Sequence, residues 1–156
     1  MIPSLVRVDA DEVTYPAHII LRTQLERSLL AKDLMPADLP CAWNEEIHKL
    51  LGVAPSNDTE GCLQDIHWYD GAWGYFPTYT LGAMAAAQIF QTALCANNNI
   101  LKSISHGQFR PLMTWLSENI HKHGCLFSTQ DLMVRATGRK LNSKAFKKHL
   151  CQRYLS

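Results

Sequence analysis

The sequence predicts an all-α fold, an irregular helical domain of about five to seven helices with one long ordered loop. Two observations carry that expectation. Apolar residues recur at helical spacing along most of the chain, and no run alternates apolar with polar side chains between turn signals as a strand would. Pro and Gly stand at intervals that suit helix starts and stops. With 156 residues and 17.6 kDa there is room for a single domain over 1–156. A composition of 47% hydrophobic and 19% charged residues excludes disorder, collagen and coiled coil.

The first helix is expected to start within Asp9–Thr14, where short polar side chains and acids suit a helix N-terminus. Pro16 is tolerated only in its first turn, and the helix runs through Ile20 and Leu29 to about Lys32. A second helix follows the punctuation of Pro36, Asp38 and Pro40, carries Trp43, Ile47, Leu50 and Leu51 on one side, and stops at Gly52. Residues 53–77 lack a 3.6-residue period and are rich in Gly and large aromatics, so they are expected to form a packed, functional loop. Beyond Pro77 the run TYTLGAMAAAQIFQTALCANN is apolar nearly all round, which predicts a buried central helix. A further helix is expected over about Phe109–Lys122, closed by Gly124. Ser128 with Asp131 caps a short helix ending at Gly138, and Asn142 caps a last one bearing Phe146, Leu150 and Tyr154.

Cys41, Cys62, Cys95, Cys125 and Cys151 are widely spaced and odd in number, which points to reduced core thiols rather than disulfides or a Cys-type metal site. No apolar stretch reaches the length of a membrane span and the start lacks a signal-peptide layout, so the default expectation is a cytoplasmic protein without membrane contact. The net charge of +1 is unevenly spread: residues 1–127 carry eight Lys/Arg against thirteen Asp/Glu, and 128–156 carry seven against Asp131 alone.

Two constellations could carry chemistry. In Gly61-Cys-Leu-Gln-Asp-Ile-His-Trp68, Asp65 stands two residues from His67, the spacing of a carboxylate that orients an imidazole in extended or turned backbone. The alternative is a loop pinned by satisfied polar side chains. In Val6-Arg-Val-Asp-Ala-Asp-Glu12, Arg7 is either a fork for a carboxylate or phosphate, or the neutralising partner of Asp9, Asp11 and Glu12 at a helix start. His121, His123 and Cys125 do not present a metal-ligand pattern and read as surface groups near a helix end. HExxH, GxSxG and phosphate-binding glycine loops are all missing from the sequence.

These segments resemble a known family. VRVDADEVTYPAHIILRTQLE resembles the IRxxADE segment of the carboxypeptidase Taq family of zinc metallocarboxypeptidases, GCLQDIHW fits its GxxQDxHW motif, and GYFPTYTLGAMAAAQIF looks like the continuation. The likeness extends through DLPCAWNEEIHKLLGV to LMVRATGRKLNSKAFKKHLCQRYL, and it implies the C-terminal third of a larger all-helical metallopeptidase. In that family an HExxH helix supplies two zinc-binding histidines and the general-base glutamate, and a following motif supplies a glutamate ligand.

The resemblance therefore implies a substrate-binding portion without zinc of its own, inactive as a fragment. Arg7 would clamp the C-terminal carboxylate of a peptide and His67 would stabilise the oxyanion with Asp65 orienting it. Tyr79 is a secondary candidate for substrate contact. It also implies a homodimer, or docking to an N-terminal portion. Two other functions stay open: a noncatalytic interaction module exposing Trp68, Trp73, Tyr75 and Phe76, and a helical nucleic-acid-binding module using the basic residues of 135–153.

Overall fold

The computed structural model describes residues 3–155, and among them there are seven α-helices and no strand. They are α1 (Tyr15–Ala31), α2 (Leu39–Leu51), α3 (Pro77–Ala96), α4 (Asn99–Ser105), α5 (Arg110–Asn119), α6 (Thr129–Thr137) and α7 (Lys144–Tyr154). The chain divides into two compact units, Met1–Thr80 and Leu81–Ser156, with α3 crossing the boundary.

In the first unit, Asp11 starts α1. Its carboxylate accepts the backbone N–H groups of Val13 and Thr14, each at 2.9 Å, and its carbonyl accepts that of Tyr15. Pro16 falls in the first turn, where its missing N–H costs nothing. Lys32 ends the helix in the left-handed region at φ 64°, and Ser28 accepts the N–H groups of Lys32, Asp33 and Leu34. Pro40 opens α2 and Gly52, at φ 71°, closes it.

Leu21 and Leu25 of α1 pack on Trp43 and Ile47 of α2, with Cys62 of the following loop completing the cluster. The i, i+4 pairs place each couple on one helix face. Each fully buried side chain of this kind contributes roughly 1.5–3 kcal/mol. Gly61 sits against this core: a Cβ there would lie 3.3 Å from Pro55 Cγ, which would have to give by a few tenths of an ångström, and in ordinary contact with Trp43 Cδ1 at 3.5 Å.

The loop between α2 and α3 is packed, as its aromatic content predicts: Phe76 and Cys62 are buried and Trp68 is half-buried. In the second unit, Gln88 of α3 is fully buried. Its amide donates to Thr137 Oγ1 at 2.7 Å and to the Arg139 carbonyl at 3.2 Å, and its oxygen accepts Asn142 N–H at 3.2 Å, so one side chain holds the α6–α7 turn. Ser128 caps α6 as expected, accepting the Asp131 N–H at 3.2 Å and donating to its carboxylate at 2.7 Å. Asn142 accepts the N–H of Lys144 at 3.0 Å and starts α7.

Two expectations are corrected. Only Gln88 and Ala93 of α3 are buried, and Leu81 and Phe90 are exposed, so α3 is not a buried central helix; its apolar surface exceeds what the neighbouring helices cover. Of the cysteines only Cys62 is in the core, because the other four fall on helix faces or turns that look outward. The short helix α4 has no counterpart among the expected helices; the Asn97 carboxamide accepts the Asn99 N–H at its start. No helix among the described residues is long and apolar enough to cross a membrane.

Candidate functional site

The first unit gathers its charged groups around Asp65. The carboxylate Oδ1 accepts from Arg7 Nε at 3.0 Å and Nη2 at 2.6 Å, and Oδ2 accepts from Arg22 Nε at 2.5 Å. Arg7 arrives from a 3-10 turn, Arg7–Asp9, ahead of α1. Its backbone N–H donates to Gln64 Oε1 at 2.9 Å, and the Gln64 amide donates to the Leu5 carbonyl at 3.1 Å. Gln64 thus fixes the register between the N-terminal segment and the loop, and brings Arg7 to Asp65.

The remaining guanidinium edge of Arg7 donates to Tyr15 Oη at 2.9 Å, and the cation lies 5.0 Å from the Tyr79 ring centroid. The acidic knot of Asp9, Asp11 and Glu12 does not take Arg7 as its partner. Asp11 is occupied by helix-start N–H groups, and the Arg7 fork reaches the loop instead.

Arg22 is completely buried, 4.6 Å from the Trp43 ring centroid and 5.7 Å from that of Phe76. Its Nη1 donates to the His18 carbonyl at 3.0 Å. Its Nη2 is buried without a hydrogen-bond partner. The two guanidiniums shift in opposite directions although they share one carboxylate. Burial lowers the pKa of Arg22 more than Asp65 raises it, whereas for the shallower Arg7 the bonds to Asp65 and Tyr15 outweigh burial and raise it. For Asp65, burial favours the neutral acid, but the two guanidiniums outweigh it and hold the carboxyl below the usual carboxylate range.

His67 stands beside this group. Its Nδ1 lies 3.8 Å from Asp65 Oδ1, too far for a hydrogen bond, and is buried without a partner. Its Nε2 is 2.9 Å from Tyr79 Oη, and its ring lies 4.4 Å from that of Phe76. The structure therefore brings Arg7, Asp65, His67 and Tyr79 into one cluster and adds Tyr15 and Arg22 to it. With Asp65 ionised and both arginines charged, the cluster carries one excess positive charge.

The first helix supports this arrangement through His18, Arg22 and Glu26, a polar line at four-residue spacing along its buried side. His18 Nε2 lies 3.0 Å from the Ser4 carbonyl, and burial, reinforced by the charge of Arg22, pushes its pKa down to about 4. Neutral His18 donates from Nε2 and leaves Nδ1 facing Arg22 Nη1 at 3.4 Å. Glu26 accepts from Trp68 Nε1 at 3.1 Å and from the backbone N–H of Gly74. It ties both ends of the aromatic turn to α1. None of these three was singled out from the sequence. Their signal was the i, i+4, i+8 recurrence of ionisable groups on a face that otherwise carries Leu21 and Leu25.

Comparison with known proteins gives this geometry its context. The family model described as carboxypeptidase Taq (M32) metallopeptidase matches residues 1–154. The chain belongs to the carboxypeptidase Taq family. It is 41% identical to carboxypeptidase 1 of Bacillus subtilis and 43% identical to thermostable carboxypeptidase 1 of Thermus thermophilus, each over 152 residues. Those matches take in 97% of this chain and 30% of either relative. Among solved structures, metallocarboxypeptidase 1 of Trypanosoma cruzi superposes with a TM-score of 0.94 at 39% identity, covering 99% of this chain and 32% of that one. The M32 carboxypeptidase of Deinococcus radiodurans gives 0.95 at 39%, covering 99% and 31%. The chain thus spans a little under a third of the length of the carboxypeptidase Taq proteins it matches, and shares their helical fold over that span.

The family is one of metallopeptidases, and the residues of the cluster do not fit a metal. Asp65 is already shared by two guanidiniums, and His18 is committed to Ser4 and Arg22. No group of three or more His, Cys, Asp or Glu among the described residues is placed to hold an ion. What a carboxypeptidase Taq protein could use from this cluster is cationic and hydrogen-bonding chemistry.

Proposed function

We propose that this chain is the substrate-gripping portion of a carboxypeptidase Taq metallopeptidase, corresponding to its C-terminal third, and that it does not cleave peptides by itself. The observation that supports the reading most is the meeting of Arg7, His67 and Tyr79 around Asp65 in a sequence that contains no HExxH. A carboxypeptidase has to recognise one feature in every substrate, the terminal carboxylate. An arginine fork with excess positive charge nearby suits that group. Because the fork faces Asp65 and Tyr15 in the resting protein, the substrate carboxylate would take the Arg7 edge that Tyr15 now holds, while Asp65 keeps the Nε side in place.

In this reading His67 and Tyr79 form a hydrogen-bonding pair beside the fork, suited to the carbonyl of the last peptide bond. His67 Nε2 exchanges its Tyr79 partner for the substrate oxygen and donates its N–H to it as negative charge grows there. The buried Phe76 ring, 4.4 Å from the imidazole, limits the access of water on that side. The metal, zinc in this reading, is supplied by the rest of the family architecture, where it would activate water for attack.

The test is direct. The purified chain, with zinc added, is expected to release no C-terminal amino acid from acylated dipeptides above buffer, and to retain no zinc after gel filtration. Stoichiometric zinc with turnover would overturn the proposal.

A further inference from the structure

We infer that the groove framed by α3, α4 and α7 seats an amphipathic helix with acidic flanks, contributed by the part of the carboxypeptidase Taq architecture that this chain does not carry. The groove lies wholly in the second unit and encloses about 430 Å³, within the ~300–1,000 Å³ range of ligand-sized sites. Phe90, Leu94, Leu101 and Ala145 of α7 give it an apolar lining, and Lys148 lines it too, among other polar side chains.

Three observations point to that occupant. First, α3 is apolar on nearly every face yet buries only Gln88 and Ala93, leaving Leu81 46% and Phe90 36% exposed, with Leu101 of α4 56% exposed. A helix with that surface is a core helix that lacks a neighbour. Second, the matched relatives have roughly three times the length of this chain, so the family architecture contains further polypeptide that is available to cover it.

Third, the charge is one-sided. Residues 81–156 carry ten Lys/Arg against Glu118 and Asp131 alone, and α7 exposes Lys144, Lys147 and Lys148 with no acid on the helix. A helix lying in an apolar groove beside such a wall is complementary when its flanks are acidic. Nucleic acid fits less well, because a phosphate backbone has nothing to place on Phe90, Leu94 and Leu101. The inference rests on the reading of the chain as one portion of a family enzyme, and its test separates the two.

Bacillus subtilis carboxypeptidase 1 lacking the 152 matching residues would be co-expressed with this chain, and complex formation measured by gel filtration and calorimetry. A complex is expected, with Phe90→Glu weakening it at least tenfold and Lys148→Glu weakening it severalfold in low salt only. Both substituted positions are exposed, so helicity by circular dichroism should be unchanged. Should the truncated relative fail to fold, overlapping 20-residue peptides spanning it serve as the probe. Binders should carry apolar residues at i, i+3 or i+4, and i+7 with acids alongside, and Phe90→Glu should abolish their binding.

Absence of any complex and of any binding peptide would overturn the inference. So would a complex indifferent to both substitutions, a dimer of this chain alone that Phe90→Glu dissolves, or displacement of bound peptide by a single-stranded oligonucleotide. A groove-dependent complex without peptidase activity would leave the groove standing and refute the proposed function; an active complex indifferent to Phe90→Glu would do the reverse.

Discussion

Asp65 is the residue on which the first unit's electrostatics turn, since its one negative charge is shared between the completely buried guanidinium of Arg22 and that of Arg7. Asp65→Asn keeps the shape but leaves Arg22 charged and unpaired in the core. Loss of one partner of a buried pair costs about 3–5 kcal/mol. The expected outcome is a fall of that size in urea stability followed by Trp43 and Trp68 fluorescence, and a loss below 1 kcal/mol would contradict the role.

His18 gives a second expectation at this scale. Its pKa falls from 6.5 in the unfolded chain to about 4 in the folded one, so protons bind the unfolded state first. Stability is full above pH 6.5 and declines as the pH drops towards 4, by roughly 3 kcal/mol in all. Unfolding midpoints at pH 7 and 5 should differ accordingly in the native chain and much less in His18→Gln. Asp65 adds a further loss below the normal carboxylate range, because its folded pKa is the lower one.

At the scale of elements, α1 and the loop that follows α2 act as one piece. Glu26 is the tie, holding the indole of Trp68 and the backbone of Gly74 from the middle of a helix. Glu26→Ala should free both, at a cost of about 1–3 kcal/mol for the donors left behind. Hydrogen exchange of residues 72–76 should accelerate at least tenfold while α2 stays protected. Unchanged exchange there would show that aromatic packing alone holds the turn.

Much of this level was legible in the sequence. Pro16, Pro40, Gly52, Gly138 and the Ser128–Asp131 pair mark helix ends by local chemistry, and each ends or starts a helix where local rules place it. The Gly61–Trp68 segment could be recognised as a packed loop because its aromatics have no period and no place in water. Partners distant in sequence were not legible. Arg7 meets Asp65 across 58 positions and Gln88 meets Asn142 across 54, and nothing local distinguishes a guanidinium bound to a loop carboxylate from one bound to the acids beside it. The exposure of α3 was hidden for the same reason, since an apolar helix reads as buried whether or not its neighbours are in the chain.

For the molecule as a whole, the two units differ in character. Met1–Thr80 carries five Lys/Arg against twelve Asp/Glu and still collects its buried cations at one carboxylate, whereas Leu81–Ser156 is basic, with an open apolar groove. That division suits a polypeptide that grips a substrate with one unit and a neighbour with the other. The grip proposed for the first unit is on a terminal carboxylate. Titration of an acylated dipeptide with a free carboxyl terminus, and of its C-terminal amide, into isotopically labelled chain tests it by NMR of the Arg7 side chain and the His67 ring. Saturable shifts of both signals are expected with the acid, with loss of the Arg7 response in Arg7→Lys and no response to the amide. Equal shifts with acid and amide, or shifts confined to other residues, would contradict it.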